Sequence, residues 1–118
     1  KNIRISVRLT YGSDADTYPA FILYRNSTQI AISTETGTGV ECSFAASVPT
    51  AQTSAVVNQV CMAAFDFIDS PATASEVTYK VYVSPMRTAS KTVKLNRPVT
   101  IADENQVHAT SVMILEEM

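Results

Sequence analysis

The residues of this 118-residue chain that could carry chemistry are few and scattered. His108 is the only histidine, and Cys42 and Cys61 are the only cysteines. Two thiols and one imidazole in no recognisable spacing fall short of the four ligands that a structural zinc site needs. Buried thiols are the preferred reading of the cysteine pair, ahead of a disulfide, because free cysteine packs as a small hydrophobe. Ser13, Asp14 and Asp16 have the look of half a calcium loop, but the glycine-then-glutamate continuation is missing. Gly37 and Gly39 lack the Lys-Ser/Thr and the helix that would make them a phosphate loop. The members of a Ser-His-Asp triad need not be adjacent, yet no serine is flanked by the glycines of a nucleophile elbow. Asp66 or Asp69 could be half of a glycosidase carboxylate pair. The preferred reading gives Asp69 a turn role instead, its side chain accepting backbone N–H bonds. The chain is therefore read as a non-enzyme, with no catalytic residue, no cofactor and no metal.

The elements that must position these groups are strands. Residues 69–83 organise the pattern. Asp69-Ser70-Pro71-Ala72-Thr73-Ala74-Ser75 is a turn, and the run after it alternates with period two. Val77, Tyr79, Val81 and Val83 share one face, and Thr78, Lys80 and Tyr82 share the other. Near the start, Ile3, Ile5, Val7 and Leu9 alternate with Asn2, Arg4, Ser6 and Arg8, which predicts a strand with a polar outer stripe. Tyr11 to Pro19 reads as a loop. Ala20 to Arg25 is apolar on both sides and reads as a covered strand, reversing at Asn26-Ser27 into a partner over Thr28 to Ser33. Asparagine tolerates the positive φ that such a hairpin requires.

Thr34 to Gly39 is another loop, and Val40 to Val48 a fourth strand, followed by a polar link. Ala55 to Ile68 is long enough for a helix, but its β-branched and aromatic residues favour strand. Lys91 to Arg97 alternates again, Pro98 to Val107 is irregular, and Ala109 to Glu116 closes the chain. Val112, Ile114 and Glu116 fall on one side of that last run, Ser111, Met113 and Leu115 on the other. The tally of about eight short strands with no amphipathic helix predicts one all-β domain over residues 1–118, a sandwich or jelly roll.

Composition narrows the function classes. The hydrophobic fraction is 46% and the charged fraction 17%. That charge is low for a soluble domain, which favours an oligomer. The net charge of -2 and the lack of a basic cluster argue against a nucleic-acid partner. No apolar run approaches the length of a transmembrane helix, and no membrane partner is expected. The chain starts at Lys1 rather than Met and is read as the C-terminal part of a longer protein.

Four segments, in order, carry a family resemblance: Leu23-Tyr24-Arg25-Asn26-Ser27-Thr28; Phe67-Ile68-Asp69-Ser70-Pro71-Ala72-Thr73 with Val77-Thr78-Tyr79-Lys80-Val81; Thr92-Val93-Lys94-Leu95-Asn96-Arg97; and Ala109-Thr110-Ser111-Val112-Met113-Ile114-Leu115-Glu116. Together they resemble carboxy-terminal domains of virion proteins from marine bacteriophages and large algal viruses. The resemblance implies a trimeric jelly roll like the knobs of complement and tumour-necrosis-factor proteins, on the external surface of a virion. The function it implies is a fibre or appendage head for host attachment, or alternatively a capsid decoration protein. A polysaccharide depolymerase is a third, weaker reading. The partners are then other copies in a homotrimer, other virion proteins, and a host cell-surface glycan or protein. Loops at Asp14 to Tyr18, Thr34 to Glu41 and Met86 to Ser90 are the candidate ligand contacts. A last strand apolar on both faces must be covered twice, so Val112 and Ile114 are candidate trimer contacts. Tyr82, an aromatic on the non-core face of its strand, is the third.

Overall fold

β1, Ile3–Ser13, is the strand on which one half of the molecule is built. Its Ile3, Ile5, Val7, Leu9 and Tyr11 all point inward, as the alternation requires, and Ile5, Val7 and Tyr11 are buried. A computed structural model describes residues 1–15, 17–35, 37–39, 41–45, 57–85, 90–101 and 106–118. Among these residues eight strands form two four-stranded antiparallel sheets and no α-helix occurs, so the chain is an all-β protein with the character of a sandwich. The remaining strands are β2 (Ala20–Arg25), β3 (Thr28–Ile30), β4 (Phe44–Ala45), β5 (Cys61–Asp69), β6 (Tyr79–Ser84), β7 (Val93–Leu95) and β8 (Val112–Glu117).

In the first sheet β1 is central. β5 lies along one side, with Ile3 opposite Asp69 and Tyr11 opposite Cys61. The other side is shared end to end. β8 takes Ile3 to Arg8, and β7 takes Tyr11 to Ser13. The gap between them falls at Thr10, and side chains fill it. The Thr10 N–H donates to Ser111 Oγ at 3.0 Å, and its carbonyl accepts from the Asn96 N–H at 2.7 Å. Ser111 Oγ in turn donates to Asn96 Oδ1 at 2.6 Å. Asn96 makes this corner with a φ of 65°, a left-handed conformation that asparagine tolerates. The second sheet repeats the plan around β2. β6 pairs along its whole length, from Ala20 opposite Ser84 to Arg25 opposite Tyr79. β3 and β4 share the other side.

One edge of the sandwich is closed by aromatic rings. Tyr11 meets Phe21 edge to face at 5.5 Å, Phe21 stacks on Phe44 at 5.0 Å, and Phe44 stacks on Phe65 at 5.0 Å. The series crosses between the sheets twice, each contact adding about 1 kcal/mol to the burial of its rings.

Several boundaries move from the sequence reading. Tyr11, Gly12 and Ser13 belong to β1 and not to a loop, because Tyr11 continues the inward alternation and packs on Phe21. The strand expected over Val40 to Val48 is described only at Phe44–Ala45; residues 40 and 46–48 lie outside the described residues. Of the stretch from Ala55 to Ile68, residues 55 and 56 lie outside the described residues, Val57 and Val60 precede the strand, and β5 begins at Cys61 and runs on to Asp69 with Phe65, Phe67 and Ile68 in it. Asn26 makes the hairpin turn with φ 55°, and the N–H of Asn26 extends the β2–β6 ladder by donating to Thr78 O at 2.7 Å. The two cysteines are free thiols, each half-buried.

Candidate interaction surface

The polar groups singled out from sequence do not converge. Asp66 and Asp69 are three positions apart on β5, so they face opposite ways. Asp66 is on the outer face, where it accepts a hydrogen bond from Ser6 Oγ and lies 3.8 Å from Arg4. Asp69 is buried between the sheets. His108 is exposed. Asp14 is occupied as a loop tie, its Oδ2 accepting the Thr92 N–H at 2.7 Å; Asp16 lies outside the described residues. Among the described residues no three His, Cys, Asp or Glu side chains gather as a metal site would require.

Asp69 is structural, but not in the way the turn suggested. Its carboxylate ties the two sheets together. Arg25 Nη1, at the end of β2, donates to Oδ1 at 2.7 Å and to Oδ2 at 2.9 Å. The Tyr79 hydroxyl, at the start of β6, donates to Oδ2 at 2.7 Å. An Arg25 cation and a phenol thus satisfy a carboxylate that is only 6% exposed, which burial alone would penalise heavily. Sequence could not reveal the pair, since Arg25 and Asp69 are 44 positions apart.

Burial, and then the hydrogen bond to Asp69, push the Tyr79 hydroxyl up to about 12. Burial, with Cys61 beside it, also raises Tyr11. A phenol in the unfolded chain titrates near 10. Between pH 10 and 12 the folded chain therefore holds more protons than the unfolded one, and stability falls as pH rises. Urea midpoints measured from pH 8 to 11.5 should be flat up to about pH 10 and then decline, and Tyr79→Phe should shallow the decline.

The surface that stands out is apolar, and β8 carries most of it. Each β8 residue shares a face with its β1 partner. Val112 and Ile114, opposite Arg8 and Ser6, are on the outer face; Met113 and Leu115, opposite Val7 and Ile5, are on the inner face. Yet every residue of β8 is exposed, Ile114 at 56% and Leu115 at 49%. The outer face of this sheet continues with exposed Ile68 and Met62 on β5, between the charges of Arg4, Arg8, Asp66 and Glu116.

Inner residues at this edge are uncovered because β6 does not close over β7 and β8. A cleft of about 610 Å³ opens between Leu115 and Glu117 on one side and Lys1, residues 71–77 and Tyr79 on the other, and a hollow of about 170 Å³ between Val81, Val83 and Leu95.

No family model, curated protein or solved structure matches the chain. What the chain offers to a partner is therefore read from its own surface.

The three candidate contact residues separate. Val112 and Ile114 lie together on the outer face of the β1 sheet. Tyr82 lies on the outer face of the β2 sheet, opposite Ile22. There it is already engaged with Tyr24, ring centroids 4.7 Å apart, while Gln29 Nε2 donates to the Tyr24 hydroxyl at 2.8 Å. The sequence reading missed Ile68 and Met62. Their outward position was legible only once the parity of β5 was known. Of the loops named as ligand contacts, residues 16, 36, 40 and 86–89 lie outside the described residues.

Proposed function

We propose that this domain is a virion structural module, a homotrimeric head on a fibre or appendage that takes part in host attachment. The observation that carries the assembly half of this reading is β8, a strand apolar and exposed on both faces. The virion half rests on the resemblance of the four segments set out above. The subunit contact is assigned to the outer face of the β1 sheet. Val112, Ile114, Ile68 and Met62 there expose on the order of 400 Å² of apolar surface, the scale at which patches mark interaction sites. Covering it is worth about 10 kcal/mol before the costs of association. The outward residues of the central strand, Arg4, Ser6 and Arg8, run between its β5 and β8 members, with Asp66 and Glu116 beside Arg4.

Sedimentation equilibrium at micromolar concentration should give three times the 12.8 kDa chain mass. Ile114→Lys should yield a folded monomer with unchanged far-ultraviolet dichroism, because a lysine desolvated in an apolar contact costs several kcal/mol. Tyr82→Lys, on the other sheet, should leave the trimer intact. A stable monomer of the unaltered chain defeats the assembly reading. Failure of the trimer to bind host envelopes would move the domain from attachment to shell decoration.

A further inference from the structure

The open edge between β6 and β8 is a different surface from the outer face just assigned. It is part of the interior of the sandwich, left unfilled. β6 pairs only with β2, and β8 only with β1, among the described residues. Both therefore present an unpaired backbone edge on the same side of the molecule. Between those edges the inward side chains Val83, Leu95, Met113 and Leu115 are exposed, Val83 at 46% and Leu95 at 57%. The cleft and the hollow at this edge follow the inward face of β6 in sequence. Tyr79 lines the first, and Val81 and Val83 line the second. Taken together they are a trough in two parts that share no lining residue, set one after the other along a six-residue strand about 20 Å long, with the Tyr79 end walled chiefly by Lys1 and residues 71–77.

We infer that this trough is a docking site for an extended β-strand supplied by a second polypeptide. The strand pairs with the free edge of β8 and inserts alternate apolar side chains between β6 and β7–β8. Three features favour this occupant. The cleft of about 610 Å³ is large enough to admit part of a short extended segment. Among the described residues the second edge of β8 is unpaired and offers main-chain partners along the strand, the defining element of strand addition. The inward side chains expose on the order of 300 Å², and a strand lying on both walls would bury about 1,000 Å² in total, the level of a specific interface.

Charge refines the chemistry of the partner. β8 ends in Glu116, on the outer face with Arg4 4.0 Å away, and Glu117, on the inner face, where it pairs with Lys1 at 2.5 Å. The strand that fits alternates apolar with polar residues and needs no basic residue at this end, where Lys1 already answers Glu117.

Hydrogen exchange on the whole chain tests this, with a synthetic peptide of about ten residues alternating valine and threonine. Without peptide, the edge-facing amides of Val112–Glu117 should exchange freely. Millimolar peptide should slow them at least tenfold, and a version with proline at every second position should not. Leu115→Lys should abolish the slowing, whereas Ile114→Lys, which disrupts the outer face, should preserve it. The inference is overturned if these amides are already protected in the chain alone, since the edge is then occupied from within. It is also overturned if peptide leaves exchange unchanged, or if Leu115→Lys still permits the slowing.

Discussion

Asp69→Ala should cost about 3 kcal/mol of folding stability, read as a fall in the urea midpoint with an unchanged slope. The substitution removes the acceptor for Arg25 and for the Tyr79 hydroxyl at once, and leaves a half-buried guanidinium without its counter-ion. Breaking a buried pair from one side costs about 3–5 kcal/mol. The Arg25 side chain keeps 27% of its exposure, so water recovers part of that and the lower end applies. For a domain whose net stability is about 5–15 kcal/mol, this is a large fraction. Tyr79→Phe removes one neutral donor and should cost about 1 kcal/mol. In a double-mutant cycle the two substitutions should be strongly non-additive, because both act on one carboxylate. Additive losses would mean that Asp69 and Tyr79 contribute through separate contacts.

Gly12→Ala should be comparably damaging, for a steric reason. A Cβ at Gly12 would lie 2.4 Å from the Arg97 carbonyl oxygen and 2.6 Å from Pro98 Cα. Both obstacles are backbone, and Pro98 is itself buried, so neither can swing aside. Overpacking of this kind costs about 1–3 kcal/mol where side chains can adjust, and the top of that range applies here. Gly12 holds the chain close where β1 pairs with β7. Its loss should raise hydrogen exchange at Val93–Leu95 more than at β5. Uniform exchange changes would instead point to global destabilisation without a local origin.

How much of this was legible from the amino-acid order differs from strand to strand. β1 could be read in full as to face, since every inward position from Ile3 to Leu9 is apolar and every outward one is polar. Its end could not. Gly12 and Ser13 have the composition of a turn, and only the approach of the Arg97–Pro98 backbone explains a glycine inside a strand. The inward and outward sides of β6 were also legible, with Tyr79 and Val81 turned in and Tyr82 turned out. What alternation cannot say is whether a face that points inward meets anything there. Val83 and Leu115 obey the core pattern and are nonetheless exposed. The candidate surface was legible only through its β8 members. Ile68 lies in a run of β5 that is apolar at nearly every position, so period two gave no hint of which side it took.

The position of β1 in the chain has a consequence for the order in which the protein can form. Of the described strands β1 is synthesised first, and it becomes the middle of a sheet. Its neighbours are about 60 positions later in β5 and about 110 positions later in β8. Closing such long loops is entropically costly and slows folding into the millisecond-to-second range. At about 5–20 residues per second of synthesis, β1 waits several seconds with one apolar face uncovered until β5 arrives. Its second neighbour, β8, is made last of the described strands. Loss of Val112–Glu117 would therefore uncover Ile3 to Arg8 on one side of the strand on which the first sheet is built.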